Sequence, residues 1–449
     1  MKARLLPLYF SEANEREDNE RAHQIGLIKS YYSDVADFLT EVCLDSLTEE
    51  LLNDVDAVLF SQMIFAAFRH NSIMDLLAKK QKPIIVITSR FGTVEMWDWE
   101  IITYLRDRGC KVFSPYSIEL GKTIIRAISV KSELEAGARF LMFQDSPGEG
   151  MQANIFKKFY WWEKESTETM QSTFGCNIIY RSWKGVCERA RAISDNDALS
   201  ISADWKLPKV NVCATAYLKS IKLYIAIKEE INLLGGVVGV GANCLNESFY
   251  CDTTPCVAWN MLFEKDGIIW ACEGDTLTLL SIFILYRSLQ MPIMMTNIYP
   301  FLVGMAALAH ERIDKFPDIP DADNCSLGVH CGYFGFAPRN MCSEWILRPK
   351  VLAIIPEDGV MVDCRFPTGP ATLAKIYPGF KKLSIIESTL EGYVQYEGSD
   401  CQNGALFRYK DGHNVMENLC SHHSIVISGE AKPQLLQIAK VFGWDCVVM

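Results

Sequence analysis

Short apolar runs at Ala3 to Phe10, Ala57 to Met63, Pro83 to Ser89 and Lys111 to Pro115 alternate with stretches in which apolar residues return at helical spacing. That alternation predicts a parallel sheet covered by helices, with ligand-binding groups at the carboxyl ends of the strands. The rim segments are then Ser61 to His70 and Ser89 to Trp99. A second unit of the same kind is expected after the aromatic, polar stretch Phe156 to Thr173, with a strand at Asn177 to Tyr180 and a helix at Val212 to Leu234. Ile268 to Cys272 reads as a buried strand, Thr276 to Ser288 as a helix and Pro292 to Asn297 as a further strand, which puts Glu273 at a strand end. From about Cys325 the apolar runs shorten between Gly, Pro and Asp, and helical periodicity returns only at Lys432 to Phe442, ahead of a last strand from Trp444 to Met449. This predicts an antiparallel sheet or barrel after the α/β region. No internal repeat and no low-complexity tract is visible.

A chain of 449 residues that is 49% hydrophobic and 22% charged has the composition of a globular protein of two to three domains. Its 44 basic and 55 acidic residues leave a formal charge of -11, which argues against nucleic acid or an anionic membrane as a partner. The start, Met1 to Pro7, lacks the longer apolar core of a signal peptide. The most apolar window, Leu277 to Met295, is interrupted by Arg287, Gln290 and Pro292 and reads as helix, turn and strand, not a membrane span. A soluble cytoplasmic protein is expected. In that compartment the 16 scattered cysteines are reduced thiols filling the core. The nearest pairs, Cys251 with Cys256 and Cys325 with Cys331, lack structural-zinc spacing. The run Gly235 to Gly241 follows a helix and leads into a strand, the reverse of a dinucleotide-binding turn.

Candidate chemistry concentrates late in the chain. Glu273 and Asp275 form an acidic pair at a strand-to-helix junction, where α/β enzymes keep functional groups; Asp275 is equally suited to capping the helix from Thr276. Asn297 ends the next strand, where it serves either as a turn residue or as a weak oxygen ligand. Only seven histidines occur, and His330 and the pair His422 and His423 stand in unusual settings. If the pair belonged to the strand Ile425 to Ser428, its rings would point to opposite faces. One carboxylate, one amide and one or two imidazoles suit Mn²⁺ or a similar divalent ion, although no local spacing fixes the geometry.

Glu273-Gly274-Asp275 ahead of an apolar helix, Asn324 to His330, Gly369 to Leu373 and Ser421-His422-His423 occur in an order that resembles the L-fucose and L-arabinose isomerase superfamily across the C-terminal part of the chain. The resemblance implies a Rossmann-like α/β domain over residues 1–170, a second α/β domain over 171–323 and a C-terminal antiparallel β-barrel over 324–449. It implies a hexamer with active sites between subunits, and a divalent metal, most often Mn²⁺, holding an open-chain sugar while an acid/base pair moves a proton between C1 and C2 through an enediol. By that resemblance Glu273 is the metal-bound acid/base, His423 is a ligand and His330 is the further ligand of the arabinose branch.

Asn297 stands where the family supplies a second acidic ligand, and an amide cannot exchange a proton at neutral pH. Asp275 takes over that work, or Glu273 acts alone, or the chain is no conventional isomerase. Arg69, His70, Glu95 and Trp97, on the two expected rims, are candidates for contacting sugar, alongside His422; Trp97 and Trp99 read equally well as core. The basic pair Arg69 and His70 suits a sugar with an anionic group, such as a sulfonated hexose. An epimerase working through the same enediol and a sugar-binding relative without catalysis are the competing expectations.

Overall fold

The computed structural model describes residues 1–10, 15–145, 164–300, 319–395 and 401–449. It is mixed α/β, with two parallel sheets and a closed six-stranded antiparallel barrel. The chain divides into two compact units. One comprises Met1–Leu134 with Arg287–Leu289 and Pro433–Gly443; the other comprises Glu135–Tyr286, Gln290–Lys432 and Trp444–Met449.

In the first unit, β1 (Ala3–Tyr9), β2 (Ala36–Phe38), β3 (Val42–Cys43), β4 (Ala57–Phe60), β5 (Pro83–Val86) and β6 (Lys111–Phe113) pair in parallel in the order β2-β1-β4-β5-β6, with β3 also on β1. Strands β1, β4, β5 and β6 begin where the apolar runs predict. The short β2 and β3 lack such a run and were not expected. Burial of Val58, Phe60, Ile84, Val86 and Val112 beside Met74, Leu77, Ile102 and Leu105 from the flanking helices forms the core of this layer. The strand order reverses between β1 and β4, so a crevice opens at their carboxyl ends.

The second unit repeats this logic and adds the barrel. Strands β7 (Arg139–Phe143), β8 (Asn177–Arg181), β9 (Val237–Ala242) and β10 (Ile269–Ala271) are parallel in the order β10-β9-β7-β8, the same winding as in the first sheet, although no sequence repeat betrays it. The glycine-rich turn does lead into a strand, and its glycines serve close packing: a Cβ on Gly239 would lie 2.8 Å from the Phe140 ring, and one on Gly241 2.7 Å from Met142. Of the stretch expected to open this unit, residues 156–163 lie outside the described residues. The sheet itself begins earlier, at β7, and residue 170 falls inside the helix Lys164–Phe174.

The remaining strands are β11 (Ile293–Pro300), β12 (Cys325–Gly328), β13 (Glu344–Pro349), β14 (Val360–Arg365), β15 (Gly369–Ile376), β16 (Lys382–Val394), β17 (Gly404–Tyr409), β18 (His423–Ser428) and β19 (Asp445–Val448). The barrel runs β15-β18-β11-β12-β17-β16 and closes through β15 on β16; β19 lies parallel against β16, and β13 with β14 forms a separate hairpin. Thus β11, with Asn297, is a barrel strand and not part of the second parallel sheet. Its first part, Ile293 to Asn297, pairs with β18, and its last part, Ile298 to Pro300, pairs with β12. The helix Thr276–Leu289, expected from its apolar run, leads from β10 to β11 and is buried over nearly its whole length. Among the described residues no helix is long and apolar enough to cross a membrane.

Candidate metal centre

Glu273 follows β10 by two residues and has a left-handed backbone, φ 55°, a conformation that is uncommon for a non-glycine residue. Gly274 continues the turn at φ 71°, where any side chain would be strained and a Cβ would lie 3.4 Å from Asn243. The chain then enters the helix through Asp275, whose Oδ1 accepts a hydrogen bond from the Thr278 amide at 2.7 Å. This tight reversal swings the Glu273 carboxylate off the sheet end and toward the barrel.

The barrel supplies the imidazoles. Asn297 on β11 and His423 on β18 are directly opposed in the antiparallel register, which places both side chains on one face. The Val329 amide donates to the Asn297 carbonyl at 3.0 Å and carries His330 in beside them. As a result His423 Nε2 lies 3.4 Å from Glu273 Oε2, and His330 Nε2 lies 3.5 Å from Glu273 Oε1, with all three side chains almost wholly buried. The two ring centroids are 6.4 Å apart, with the planes inclined by 29°.

A second set of contacts holds His423. Its Nδ1 bonds Asp275 Oδ2 at 2.8 Å, and that oxygen also accepts from Lys375 Nζ at 3.0 Å and from the Thr278 hydroxyl at 2.5 Å. Lys375 donates to Thr278 as well. The carboxylate therefore takes the Nδ1 proton's side of the ring and leaves Nε2 turned toward Glu273, the arrangement that orients imidazole ligands in metal sites. Asp275 is thus both the expected helix cap and a positioning group.

Burial raises the cost of charge on Glu273, but His423, then His330 and His422, outweigh it and hold the carboxyl at about 2. Burial is likewise overcome at Asp275, which Lys375 and His423 keep well below the usual carboxylate range. His423 is pushed up because Glu273 and Asp275 outweigh its burial. His330 goes down, burial exceeding the pull of Glu273. His422 falls to about 3 through burial and the charge of His423.

The donor chemistry fits a cation. Two atoms about 2.1 Å from one ion stand about 3.0 to 3.4 Å apart at octahedral to tetrahedral angles, close to the separations found here. Asn297 Oδ1 and His330 Nε2 are buried without a hydrogen-bond partner, a cost of about 1–3 kcal/mol for each such atom that a cation would relieve. Ligand atoms of Glu273, His330 and Cys331 all lie within 4.8 Å of one another and form a cluster able to hold a metal ion.

The structure brings Glu273, Asp275, His330 and His423 together, with Asn297 opposite His423 in the barrel register. The histidine pair differs from expectation: His422 precedes β18, so strand alternation does not separate the rings, and their centroids are 4.3 Å apart. Glu95 and Trp97 line a cleft of about 1210 Å³ in the first unit, outside the carboxyl ends of β1, β4 and β5, together with Phe10, Ser61 and Thr88. Trp97 and Trp99 are 58% and 62% exposed, so neither is core. His70 pairs with Asp45 at 3.0 Å, and the Arg69 guanidinium lies over the Phe68 ring. Sequence reasoning missed Lys375 and Cys331. A lone lysine in the apolar run Ala371 to Ile376 was the available signal for the first, since a buried lysine needs an anion.

No model of a known protein family matches this chain, and no curated protein does.

Proposed function

We propose that the chain is a divalent-metal-dependent aldose–ketose isomerase acting on an open-chain hexose or pentose. The observation that carries this reading is the buried Glu273 carboxylate between the Nε2 atoms of His423 and His330, with the opposite nitrogen of His423 held by Asp275. Glu273, His423, His330 and Asn297 would hold the ion, for which the resemblance of the site motifs suggests Mn²⁺. Such an ion polarises a carbonyl and stabilises charge developing on its oxygen. Glu273, ionised at neutral pH, takes the proton from the carbon beside the carbonyl and returns it to the former carbonyl carbon; an enediol lies between the two transfers, the carbonyl oxygen gaining a proton and the neighbouring hydroxyl giving one up in exchange with water. Asn297 cannot join in this proton traffic. Asp275, already accepting from Thr278, Lys375 and His423, positions His423 in this scheme. The sugar is completed by groups from a neighbouring subunit in a hexamer, for which Glu95 and Trp97, in their cleft, are better placed than Arg69 and His70.

The test is incubation of the protein and divalent metal with a panel of aldoses in deuterated water. Ketose formation with deuterium at its C1, both abolished by Glu273→Gln, is the expected result. Exchange with a C2 epimer as the sole product would make the protein an epimerase. The substitution of an amide at position 297 favours a second reading, a sugar-binding relative without catalysis. Sugar-dependent thermal stabilisation without any exchange would establish it and end the isomerase reading.

A further inference from the structure

His330 is followed by a backbone that no ordinary strand continuation would give. Cys331 has φ 52° and Gly332 φ 92°, and the turn is pinned by hydrogen bonds between the His330 and Tyr333 backbones and from the Gln402 amide to the Gly332 carbonyl at 2.7 Å. A left-handed cysteine stores strain of about 1–3 kcal/mol. The turn brings its sulfur to the cation-binding side chains: Cys331 Sγ, a Glu273 carboxylate oxygen and a His330 ring nitrogen lie within 4.8 Å of one another. Independently, His330 Nε2 is buried, faces Glu273 at 3.5 Å and makes no hydrogen bond.

We propose that Cys331 supplies a thiolate ligand to this site beside Glu273 and His330, so that the site selects borderline-soft divalent ions such as Zn²⁺ and Co²⁺ over Mn²⁺ and Mg²⁺. The inference rests on the reading of the same pocket as a cation site and replaces the Mn²⁺ suggested by the motif resemblance with a softer ion. Carboxylate and amide oxygens alone suit Mg²⁺ and Mn²⁺, imidazole shifts preference toward Zn²⁺, and a thiolate shifts it further. Coordination forms one sulfur–metal bond, and the thiol proton leaves to water; no electron is transferred.

The experiment strips metal from the full chain, reloads it with Co²⁺ and records the near-ultraviolet spectrum, where thiolate-to-cobalt charge transfer absorbs. The wild type shows the band. Cys331→Ser keeps bound Co²⁺ but loses the band, and its preference for Zn²⁺ over Mn²⁺ in competitive titration falls at least about tenfold, an effect that even outer-shell losses produce. Co²⁺ binding that Glu273→Gln abolishes, but with no thiolate band in the wild type or with the band surviving in Cys331→Ser, overturns the role of Cys331 and leaves the cation site standing. Failure of the wild type to bind Co²⁺, or binding indifferent to Glu273→Gln, overturns the cation site and this inference together.

Discussion

At the scale of single residues, the site is a chain of buried charges in which each group settles the next. Lys375 and Asp275 are 2% and 0% exposed at their side chains, so neither charge has water to fall back on. Removing one member of such a pair leaves the other uncompensated. Lys375→Met should therefore destabilise the fold by about 3–5 kcal/mol in chemical denaturation. It should also weaken divalent-metal affinity, because Asp275 would no longer be held to orient His423. A loss below about 1 kcal/mol with unchanged metal affinity would show that Lys375 does not hold the network.

At the scale of elements, the helix Thr276–Leu289 ties the turn of Glu273 to the barrel. Phe283 is fully buried and meets the Phe140 ring edge-on at 5.2 Å. Phe283→Ala should cost about 3–5 kcal/mol, measured by denaturant unfolding, and a cost near zero would mean that this face is not packed as described. The helix Lys432–Phe442 sends Lys440 to the Val112 carbonyl at 2.7 Å, and burial first, then Arg106, push its amine down to about 8. The unfolded chain then holds more protons than the folded one between about 8 and the ordinary value of 10.5. Stability tied to Lys440 should accordingly rise with pH across that window. Denaturation of the wild type against Lys440→Met at both ends of the window checks this; parallel changes in the two proteins would contradict it.

The elements also mark how far the sequence could be read. β1, β4, β5 and β6, the helix at Thr276 and the position of Glu273 at a strand end all follow from local period and turn chemistry. The pairing of Asn297 with His423 does not, because the two residues are 126 positions apart, on strands that only the barrel brings together. The same holds for Lys375, whose anion lies on a helix 100 residues away. His422 and His423 were misjudged for a local reason: the strand rule was extended one residue past where β18 begins.

At the scale of the whole molecule, the described strands form two parallel sheets of like winding, a closed barrel and a separate hairpin, and none of the 16 cysteines forms a disulfide. Thiol titration in denaturant without reductant should count 16 thiols per chain; a lower count recovered only after reduction would contradict this. The candidate metal centre lies where the second sheet's end meets the barrel. Its most direct test is the metal content of the purified protein after reconstitution, by elemental analysis, beside Glu273→Gln and His423→Ala. The account predicts one divalent ion per wild-type chain and marked loss from both variants while they remain folded. An empty wild type, or full occupancy in both variants, would contradict it.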